Sequence, residues 1–475
     1  MNISEDQIQA IVQNVIKNVV SDYKFSDISK SSTGQGEWGV YSDMNEAVES
    51  AHEAFLQYQS FDIQDRKKFT DAVRQVTLDF KEEFSRMAVS ETKMGRVEHK
   101  IAKHVNVAKH ASGMEFLQPK SWSGKNGLAI EEYAPWGVIG NISPSTHPSA
   151  TMLENIIIIL SAGNTIVFNP HPAAKKLNAY VVQRCNQYIT KAGGPINLIT
   201  CIDEPTIESA NVMFEHSKTK LLSVTGGPIM VAAAMKINKP VIAAGPGNPP
   251  VLIDETADIE LAAREITQSA SYDNNVLCIA EKEIFGVGGV FNSFMQAFEK
   301  EGNRKLSTSQ MDLLAQKALE KKDKHYFINR DFVGQNANVL AHALGIQLLE
   351  DVPLLFGETD SDHPWVVSEQ MTSCIPVVRV KDFREGVEYA LRAEHGFEHT
   401  ASVFTRDMNR ATEYSKRLNT DIIVINGGTL RGNGGDLGEA YFSHTIASPT
   451  GQGIVNPRDY CRRRRIMTSG AFRFV

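Results

Sequence analysis

The sequence predicts an α/β fold in which parallel β-strands alternate with helices that cover both faces of the sheets. Two stretches of the 475-residue chain support this prediction, residues 137–254 and residues 261–424. In both, short apolar runs alternate with longer amphipathic segments, a pattern typical of strand–helix–strand units. Turns rich in proline and glycine separate the segments.

The first stretch divides into short apolar strands, as expected for strands buried on both faces, and amphipathic helices. In chain order it contains a strand at 138–142, a helix at 148–161, a strand at 165–168, a helix at 172–191, a strand at 196–201, a helix at 206–215, a strand at 220–224, a helix at 228–236 and a strand at 241–244.

Four turns follow the carboxyl ends of these strands, where parallel sheets bind their ligands. They lie at 143–148, 169–172, 224–228 and 243–245. Proline at a helix start and glycine in a turn leave backbone N–H groups and open space for a phosphate. Ordinary loop chemistry explains any one of these turns, but four in order favour a ligand site.

Composition and charge indicate a folded protein of two or three domains. The chain is 42% hydrophobic and 22% charged, which is ordinary for a globular protein. Its net charge of −7 argues against nucleic acid as the main partner. Apolar runs such as 156–160 are too short to span a membrane, and the N-terminus lacks the basic start of a secretory signal.

The cysteines indicate neither disulfides nor a zinc site. Their number is odd, they lie far apart and none forms a CxxC motif, so a reducing cytosol is the expected environment. They are Cys185, Cys201, Cys278, Cys374 and Cys461.

Cys278 differs from the others in what precedes it. It follows a predicted helix that ends near Tyr272, and Asn274 and Asn275 come shortly before it. Such a turn could present the thiol, whereas a lone cysteine in an apolar segment is usually a packing residue. Both interpretations are open at this point.

The N-terminus predicts a separate amphipathic helix over about residues 5–20. Ser4 and Gln7 have the spacing of a capping box, and Ile3 and Ile8 are placed for a hydrophobic staple. A polar linker at 22–36 follows. The apolar face could dock on a partner or fold back on the chain, and the sequence leaves both open.

These features, in this order, resemble the aldehyde dehydrogenase superfamily across residues 38–475. Residues 142–148 resemble the family segment I-x-P-W-N-F-P, residues 162–170 resemble A-G-N-T-V-V-x-K-P, and residues 224–227 resemble F-T-G-S. Cys278 then corresponds to the nucleophile, and Glu369 to the glutamate that binds the nicotinamide ribose.

One departure from the family pattern indicates a branch. The general-base glutamate of E-L-G-G-K-S-P corresponds to Ala243 here. A hydrolytic enzyme needs that carboxylate to activate water, so its absence fits transfer to the coenzyme A thiol. Residues 169–172 and 448–453, with the arginines at 462–465, also resemble the CoA-acylating branch. The N-terminal extension resembles those of propionaldehyde dehydrogenases from bacterial microcompartments.

The resemblance implies that NAD and coenzyme A serve as oxidant and acyl acceptor for a short-chain aldehyde, propionaldehyde or similar. Cys278 would form the thioester, and Thr146, in place of the family's asparagine, would lie at the oxyanion. The residues expected to bind cofactor are Ser143, Pro144, Asn169, Pro170, His171, Thr225, Gly226, Gly227, Ala244 and Glu369.

Two alternatives are a hydrolytic NAD-dependent dehydrogenase and an idle scaffold protein that uses the N-terminal helix. Ala243 argues against the first, and an intact Cys278 and Glu369 argue against the second. His395 and His399 could supply a base for the coenzyme A thiol, but ordinary structural histidines are the favoured interpretation.

The resemblance also implies a domain order. A Rossmann-type NAD-binding domain precedes an α/β catalytic domain, and a small β arm joins subunits. The ranges are 1–20 for a targeting helix, 21–37 for a linker, 38–245 for the NAD-binding domain with part of the arm near 118–134, 246–437 for the catalytic domain, and 438–475 for a C-terminal segment that completes the NAD-binding and oligomerisation region.

Residues 120–133 fit a hairpin of that arm, because Asn126-Gly127 is a common two-residue turn. A surface hairpin without a partner is the alternative. The family implies a homodimer or homotetramer, and the extension implies a microcompartment shell protein as partner of the N-terminal helix. The expected location is the cytoplasm, inside a bacterial microcompartment, with no membrane or nucleic-acid partner.

Overall fold

The computed structural model describes residues 37–322 and 325–472. No helix within these ranges is long and apolar enough to cross a membrane. The predicted targeting helix at 1–20 and nearly all of the linker lie outside the described residues, so both remain predictions.

The helices of the described residues mostly pack against the sheets. They are α1 (Met44–Tyr58), α2 (Ile63–Asp79), α3 (Lys81–Thr92), α4 (Val97–His110), α5 (Pro148–Ser161), α6 (Lys175–Lys191), α7 (Ile207–Glu215), α8 (Pro228–Met235), α9 (Ile259–Ala270), α10 (Gly288–Lys300), α11 (Thr308–Ala318), α12 (Ala337–Ala343), α13 (Phe383–Glu394) and α14 (Met408–Leu418).

The strands form two parallel sheets and smaller antiparallel ones. They are β1 (Val40–Tyr41), β2 (Lys120–Gly124), β3 (Gly127–Pro135), β4 (Val138–Ser143), β5 (Thr165–Pro170), β6 (Ile199–Ile202), β7 (Thr219–Thr225), β8 (Val241–Ala244), β9 (Pro250–Ile253), β10 (Glu283–Val287), β11 (Arg304–Lys305), β12 (Leu319–Lys322), β13 (His325–Ile328), β14 (Leu355–Thr359), β15 (Cys374–Val380), β16 (Thr400–Phe404), β17 (Ile422–Ile425), β18 (Ile446–Ala447), β19 (Gly453–Ile454) and β20 (Cys461–Ser469).

The first sheet has the order β1-β6-β5-β4-β7-β8 and is parallel throughout. It confirms the alternation predicted for residues 137–254, and α5 and β8 agree with their predicted bounds to the residue. Every residue of α5 is buried, as expected for a helix whose residues are mostly apolar. This helix forms the centre of the core on one face of the sheet.

Two predicted starts in this region were wrong by three residues. The helix predicted at 172–191 begins as a 3-10 turn, Pro172–Ala174, and becomes α-helical at Lys175. The N–H of Ala173 donates to His171 Nδ1, which holds the first residues in the tighter turn. The strand predicted at 196–201 starts later, at Ile199, because Asn197 has a positive φ that extended backbone excludes.

The second sheet has the order β11-β14-β15-β10-β9-β16-β17, again parallel throughout. It confirms the alternation predicted for residues 261–424. The first sheet ends at Ala244 and the second begins at Pro250, on either side of the predicted division at 245. The assignment of these sheets to separate domains remains a prediction.

A third sheet of β2, β3 and β20 is antiparallel and contains the predicted hairpin. The predicted turn was wrong by one residue: Gly124 pairs with Gly127, so Lys125 and Asn126 form the turn. Gly127 instead opens β3 with a φ of +123°, and a Cβ there would lie 1.9 Å from the Thr468 carbonyl oxygen. The close approach of β20 therefore requires glycine at this position.

The arginine run of residues 462–465 lies on β20. Arg464 pairs with Glu132 and Arg465 with Glu131 across the neighbouring strand. These arginines therefore hold β20 on the hairpin.

Candidate active site

The four turns predicted to bind ligand lie along one edge of the first sheet. Ser143, at the end of β4, is in register with Pro170 of β5, and Thr225 of β7 is in register with Ala244 of β8. β4 also pairs with β7 in the same direction. The predicted cofactor residues of these strands therefore share the carboxyl edge, as the sequence indicated.

The end of β7 fits a phosphate group of NAD. The hydroxyl of Thr225 has no hydrogen-bond partner among the described residues. A Cβ on Gly227 would meet nothing within 4 Å, and one on Gly226 only Met230. Helix α8 starts directly afterwards at Pro228, without a side-chain cap, so its first N–H groups and the Thr225 hydroxyl could hold the phosphate.

The end of β5 is occupied by contacts within the protein. The Asn169 amide oxygen accepts from Ser209 Oγ at 2.6 Å, and its Nδ2 donates to the Thr206 carbonyl at 3.3 Å. His171 is half-buried, and burial lowers its pKa with a contribution from Arg330. Asn169 thus joins β5 to the start of α7, and its role toward cofactor remains a prediction.

The turn before Cys278 has an unusual backbone. Asp273, Asn274 and Asn275 all have positive φ, between 50° and 62°. Aspartate and asparagine tolerate this left-handed region better than other residues with a side chain, and the predicted Asn-rich turn is confirmed. Cys278 is partly exposed, and it also packs against the cluster that contains Leu277 and Val424.

The first residue of this turn, Asp273, is fixed by contacts of its buried carboxylate. Asp273 is fully buried and accepts from Lys100 Nζ at 3.0 Å and from Lys103 Nζ at 2.5 Å. Its other oxygen accepts from the Arg96 N–H at 2.7 Å. A Cβ on Gly95 would lie 2.0 Å from that carboxylate, so the start of α4 closes tightly on the turn.

Lys103 also connects this carboxylate to a pair of histidines. Its Nζ lies 3.2 Å from His147 Nδ1, and the His147 ring stacks on His444 with 5.4 Å between centroids. His444 in turn donates its backbone N–H to Glu154 at 2.6 Å. Burial lowers the pKa of Lys103 to about 8, although Asp273 opposes the shift.

The same lysines join the Cys278 loop to the edge of the first sheet. Lys100 Nζ donates to the Thr146 carbonyl at 3.0 Å as well as to Asp273. Thr146 lies three residues beyond the end of β4, and it is partly exposed. The structure therefore links the Thr146 backbone to the Cys278 loop through Lys100, and their shared role at the oxyanion remains a prediction.

On its other side, the Cys278 loop contacts the segment after β8. A Cβ on Gly247 would lie 2.5 Å from the Cys278 carbonyl oxygen. The N–H of Gly247 donates to Glu369 Oε1 at 3.3 Å. Gly247 thereby places Glu369, the residue predicted to bind the nicotinamide ribose, beside the nucleophile.

The charges around the thiol act in opposite directions. Burial raises the pKa of Cys278 to about 12, and Glu369 adds to the rise. Lys282 and the backbone N–H groups of Cys278 and Ile279 act to lower it. Burial in turn lowers the pKa of Lys282 to about 8. In the protein alone the thiol is therefore protonated at neutral pH.

The position of the family's general base lies inside the core. Ala243 is fully buried, packed in the cluster that contains Val224 and Ile142. Its N–H donates to Thr450 Oγ1 at 3.0 Å, so the segment at 448–453 covers the edge of β8. No carboxylate stands at this position.

The two histidines of the 395–399 segment are not one helical turn apart, because α13 ends at Glu394 and His395 has a left-handed φ of 62°. His395 is exposed and lies 3.1 Å from the Val367 carbonyl. His399 is buried, and burial lowers its pKa to about 3. Its Nε2 has no partner among the described residues.

The buried lysines were missed in the sequence. On α4 the buried positions include Lys100, Lys103, His104 and Val107, spaced three or four residues apart as an apolar face would be. The signal was a helix whose inner face has lysines and a histidine at positions where apolar residues are usual. Without Asp273 as a known neighbour, such lysines are taken for a solvated face.

Comparison with known proteins agrees with the family resemblance of the sequence. The model of the aldehyde dehydrogenase family matches residues 26–435. The acetylating acetaldehyde dehydrogenase of Salmonella typhimurium is 38% identical over 470 residues, which are 98% of this chain and 100% of that protein.

Two solved structures are also similar to this chain. A propionaldehyde dehydrogenase from the fucose utilisation microcompartment of Clostridium phytofermentans is 39% identical, with a TM-score of 0.89 over 91% of this chain and 99% of that one. A propionaldehyde dehydrogenase of Rhodopseudomonas palustris with bound propionyl-CoA is 37% identical, with a TM-score of 0.90 over 95% and 100%.

Proposed function

The chain belongs to the aldehyde dehydrogenase family, and on that premise we propose how its residues perform the reaction. It is an NAD-dependent, CoA-acylating aldehyde dehydrogenase. Its proposed substrate is a short-chain aldehyde, propionaldehyde or one of similar length, which it converts with NAD⁺ and coenzyme A to acyl-CoA, NADH and a proton.

In the proposed reaction, Cys278 Sγ, as thiolate, bonds to the aldehyde carbon. The Cys278 N–H, with Thr146 close to the loop, stabilises the oxyanion that forms; one such donor is typically worth about 3 kcal/mol. NAD⁺ supplies the hydride acceptor. The thioester that remains on Cys278 is then attacked by the coenzyme A thiolate, and Cys278 leaves as thiolate.

The observation that carries the proposal is the partly exposed Cys278 on a turn fixed by buried charges. Three other cysteines are buried, and Cys461 lies on β20 of the third sheet. Cys278 is thus the cysteine that is both partly exposed and fixed in position by the turn before it.

The experiment measures NADH absorbance after addition of propionaldehyde, with and without coenzyme A, and identifies the acyl product. We expect NADH and propionyl-CoA from the wild-type protein and from Cys461→Ala, which removes the other partly exposed cysteine. Cys278→Ala should retain NAD binding and lose the reaction. More than a few per cent of wild-type rate in Cys278→Ala would exclude Cys278 as nucleophile.

Ala243 supports transfer to coenzyme A rather than to water, because no carboxylate at this position activates a water molecule. Ala243→Glu should raise the ratio of propionic acid to propionyl-CoA. Because the position is buried, Ala243→Gln serves as the control for the added volume. Equal ratios in the two folded variants would show that the missing base does not determine the acceptor.

We also propose that residues 1–20 dock this enzyme on the inner face of a microcompartment shell. The support is the predicted amphipathic helix with its linker, together with the microcompartment origin of the Clostridium phytofermentans protein. Seven aliphatic residues on one helix face, each partly buried, would contribute on the order of 1 kcal/mol apiece. That suits a reversible contact.

Residues 1–24 fused to a fluorescent protein should localise to shells in shell-producing cells, and the chain lacking residues 1–20 should keep its activity but not co-purify with shells. Diffuse fluorescence, with the shortened chain still bound to shells, would contradict the proposal. A fusion carrying Ile8→Asp and Ile11→Asp tests the apolar face itself.

The third sheet supports a homodimer or homotetramer joined through the arm. Trp122, Ile466 and Met467 are each about half-exposed on its strands, and large exposed apolar groups on one element often mark an interface. Mass measurement in solution, on wild-type protein and on Trp122→Glu with Met467→Glu, tests it: the variant should have the smaller mass.

A further inference from the structure

Lys282 is a buried charge next to the nucleophile for which the reaction above has no use. It is fully buried, four residues after Cys278. Its backbone is fixed on both sides, because its N–H donates to the Pro249 carbonyl at 3.0 Å and its carbonyl accepts from Gln370 at 2.7 Å. The fixed backbone therefore constrains the position of the Lys282 side chain.

The ammonium group folds back onto the Cys278 loop. Lys282 Nζ donates to the Asn275 carbonyl at 3.1 Å and to the side-chain oxygen of the same residue. Its third bond goes to the Leu277 carbonyl at 2.8 Å, which also accepts a longer bond, 3.2 Å, from the Ala280 N–H. All three ammonium protons are thus used on the loop, and two of the acceptors belong to its strained end.

The bond to Leu277 determines where the next N–H points. The Leu277–Cys278 peptide is trans, and in a trans peptide the C=O and N–H point in opposite directions. Because the Leu277 carbonyl faces Lys282, the Cys278 N–H faces away from it. Both this N–H and the Ile279 N–H act to lower the pKa of the Cys278 thiol.

We propose that Lys282 is a positioning residue that fixes the Leu277–Cys278 peptide, so that the Cys278 and Ile279 N–H groups point to the oxygen of the reacting carbonyl. The role rests on Cys278 being the nucleophile. A charge-assisted bond holds the peptide better than a neutral one. Donors fixed before the reaction cost no reorganisation when the oxyanion forms.

Two reactions of the Cys278 thiol distinguish the positioning role of Lys282 from a general effect of its charge on the thiol. Aldehyde oxidation forms an oxyanion, whereas alkylation of Cys278 by iodoacetamide displaces iodide at a tetrahedral carbon and forms none. Both rates depend equally on the thiolate fraction. Measured at saturating NAD⁺, their ratio therefore separates the oxyanion donors from the thiolate fraction.

In Lys282→Met we expect kcat/KM for propionaldehyde to fall about 100-fold, as for the loss of one oxyanion donor. Alkylation of the Cys278 peptide, followed by mass spectrometry, should fall much less, so the ratio should drop at least tenfold. Lys282→Arg, which keeps a charged donor, should restore part of the ratio. Equal falls in both rates, or an unchanged kcat/KM, would overturn the proposal.

Lys239→Met is the matched control. Lys239 Nζ also donates to two backbone carbonyls, Phe214 at 2.5 Å and His216 at 2.7 Å, but beside the first sheet. Both rates should stay at wild-type values in this variant. If Lys282→Met does not fold, Lys282→Gln gives the same comparison with a neutral donor, and its ratio should also fall.

Different results would contradict the proposed function and the proposed role of Lys282. A wild-type protein that makes no acyl-CoA would remove the proposed function, with Cys278 as its nucleophile. An active wild-type protein with an unchanged ratio in the Lys282 variants would remove only the role of Lys282.

Discussion

The carboxyl edge of the first sheet and the Cys278 loop lie together, but different interactions hold them. At the edge, side chains are held by neutral bonds, such as Asn169 with Ser209 and Ser143 with Asn178. In the loop, the ions Asp273 and Lys282 are fully buried. The edge, which we propose to receive dissociable ligands, is held by weak, independent contacts, whereas the loop that we propose to perform the chemistry is held by strong, coupled ones.

The free energies of these two kinds of interaction differ accordingly. A neutral hydrogen bond contributes about 1 kcal/mol to stability. Removal of one partner of a buried ion pair costs about 3–5 kcal/mol, because a charge is left uncompensated. Substitutions in the two regions should therefore differ in their effect on the fold as well as on the reaction.

The largest effect is expected from Asp273→Asn. Two buried lysines lose their counter-charge, so the free energy of unfolding should fall by about 3–5 kcal/mol. Aldehyde oxidation should be nearly lost. Urea unfolding at pH 7 measures the free energy of unfolding. A loss below about 1 kcal/mol would show that the loop is held no more strongly than the edge.

The second prediction concerns the thiol itself. With a pKa of about 12, the thiolate fraction of Cys278 rises tenfold for each pH unit below that value. Alkylation by iodoacetamide without cofactor should then increase about 1000-fold from pH 7 to pH 10, since the thiolate is the reacting form. Mass spectrometry of the Cys278 peptide follows it. A plateau below pH 9 would mean that the lysines outweigh burial and Glu369.

A smaller effect is expected where the two regions meet, at Glu369. A hydrogen bond to a charged group is worth about 1.5–3 kcal/mol, so Glu369→Gln should lower kcat/KM for NAD at least about tenfold. Glu358→Gln, which removes an exposed carboxylate paired with Arg379, is the control. Wild-type kcat and KM in Glu369→Gln would remove this residue from the site.

The smallest effect is expected at the edge. Asn169→Ala removes bonds to Ser209 and Thr206, and the free energy of unfolding should fall by about 1–2 kcal/mol. The KM for NAD should change less than about threefold, because the amide is directed into the protein. A large rise in KM would instead assign Asn169 to the cofactor.

The same contrast explains how much was predictable from sequence. Strands and helices of the first sheet follow from short apolar runs that alternate with longer helical segments, a pattern that is local, and α5 was predicted to the residue. The shared edge then follows from parallel topology. Cys278 and its turn were also identified, through family order and the asparagines.

The charged environment of the loop was not predictable, because it depends on distant residues. Lys100 and Lys103 meet Asp273 across more than 160 residues of chain. No local pattern distinguishes a lysine in such a pair from one in water. The hairpin turn failed for a related reason, since the approach of β20, from the far end of the chain, decides where Gly127 must lie.

The three successive left-handed residues before Cys278 have a consequence for the order of folding. Such a backbone costs free energy unless its surroundings hold it, and here the holding groups come from α4, far earlier in the chain, and from Lys282. Closing so long a loop is slow compared with forming local elements. We therefore expect the reactive conformation to form only after α4 and Lys282 have packed against this turn.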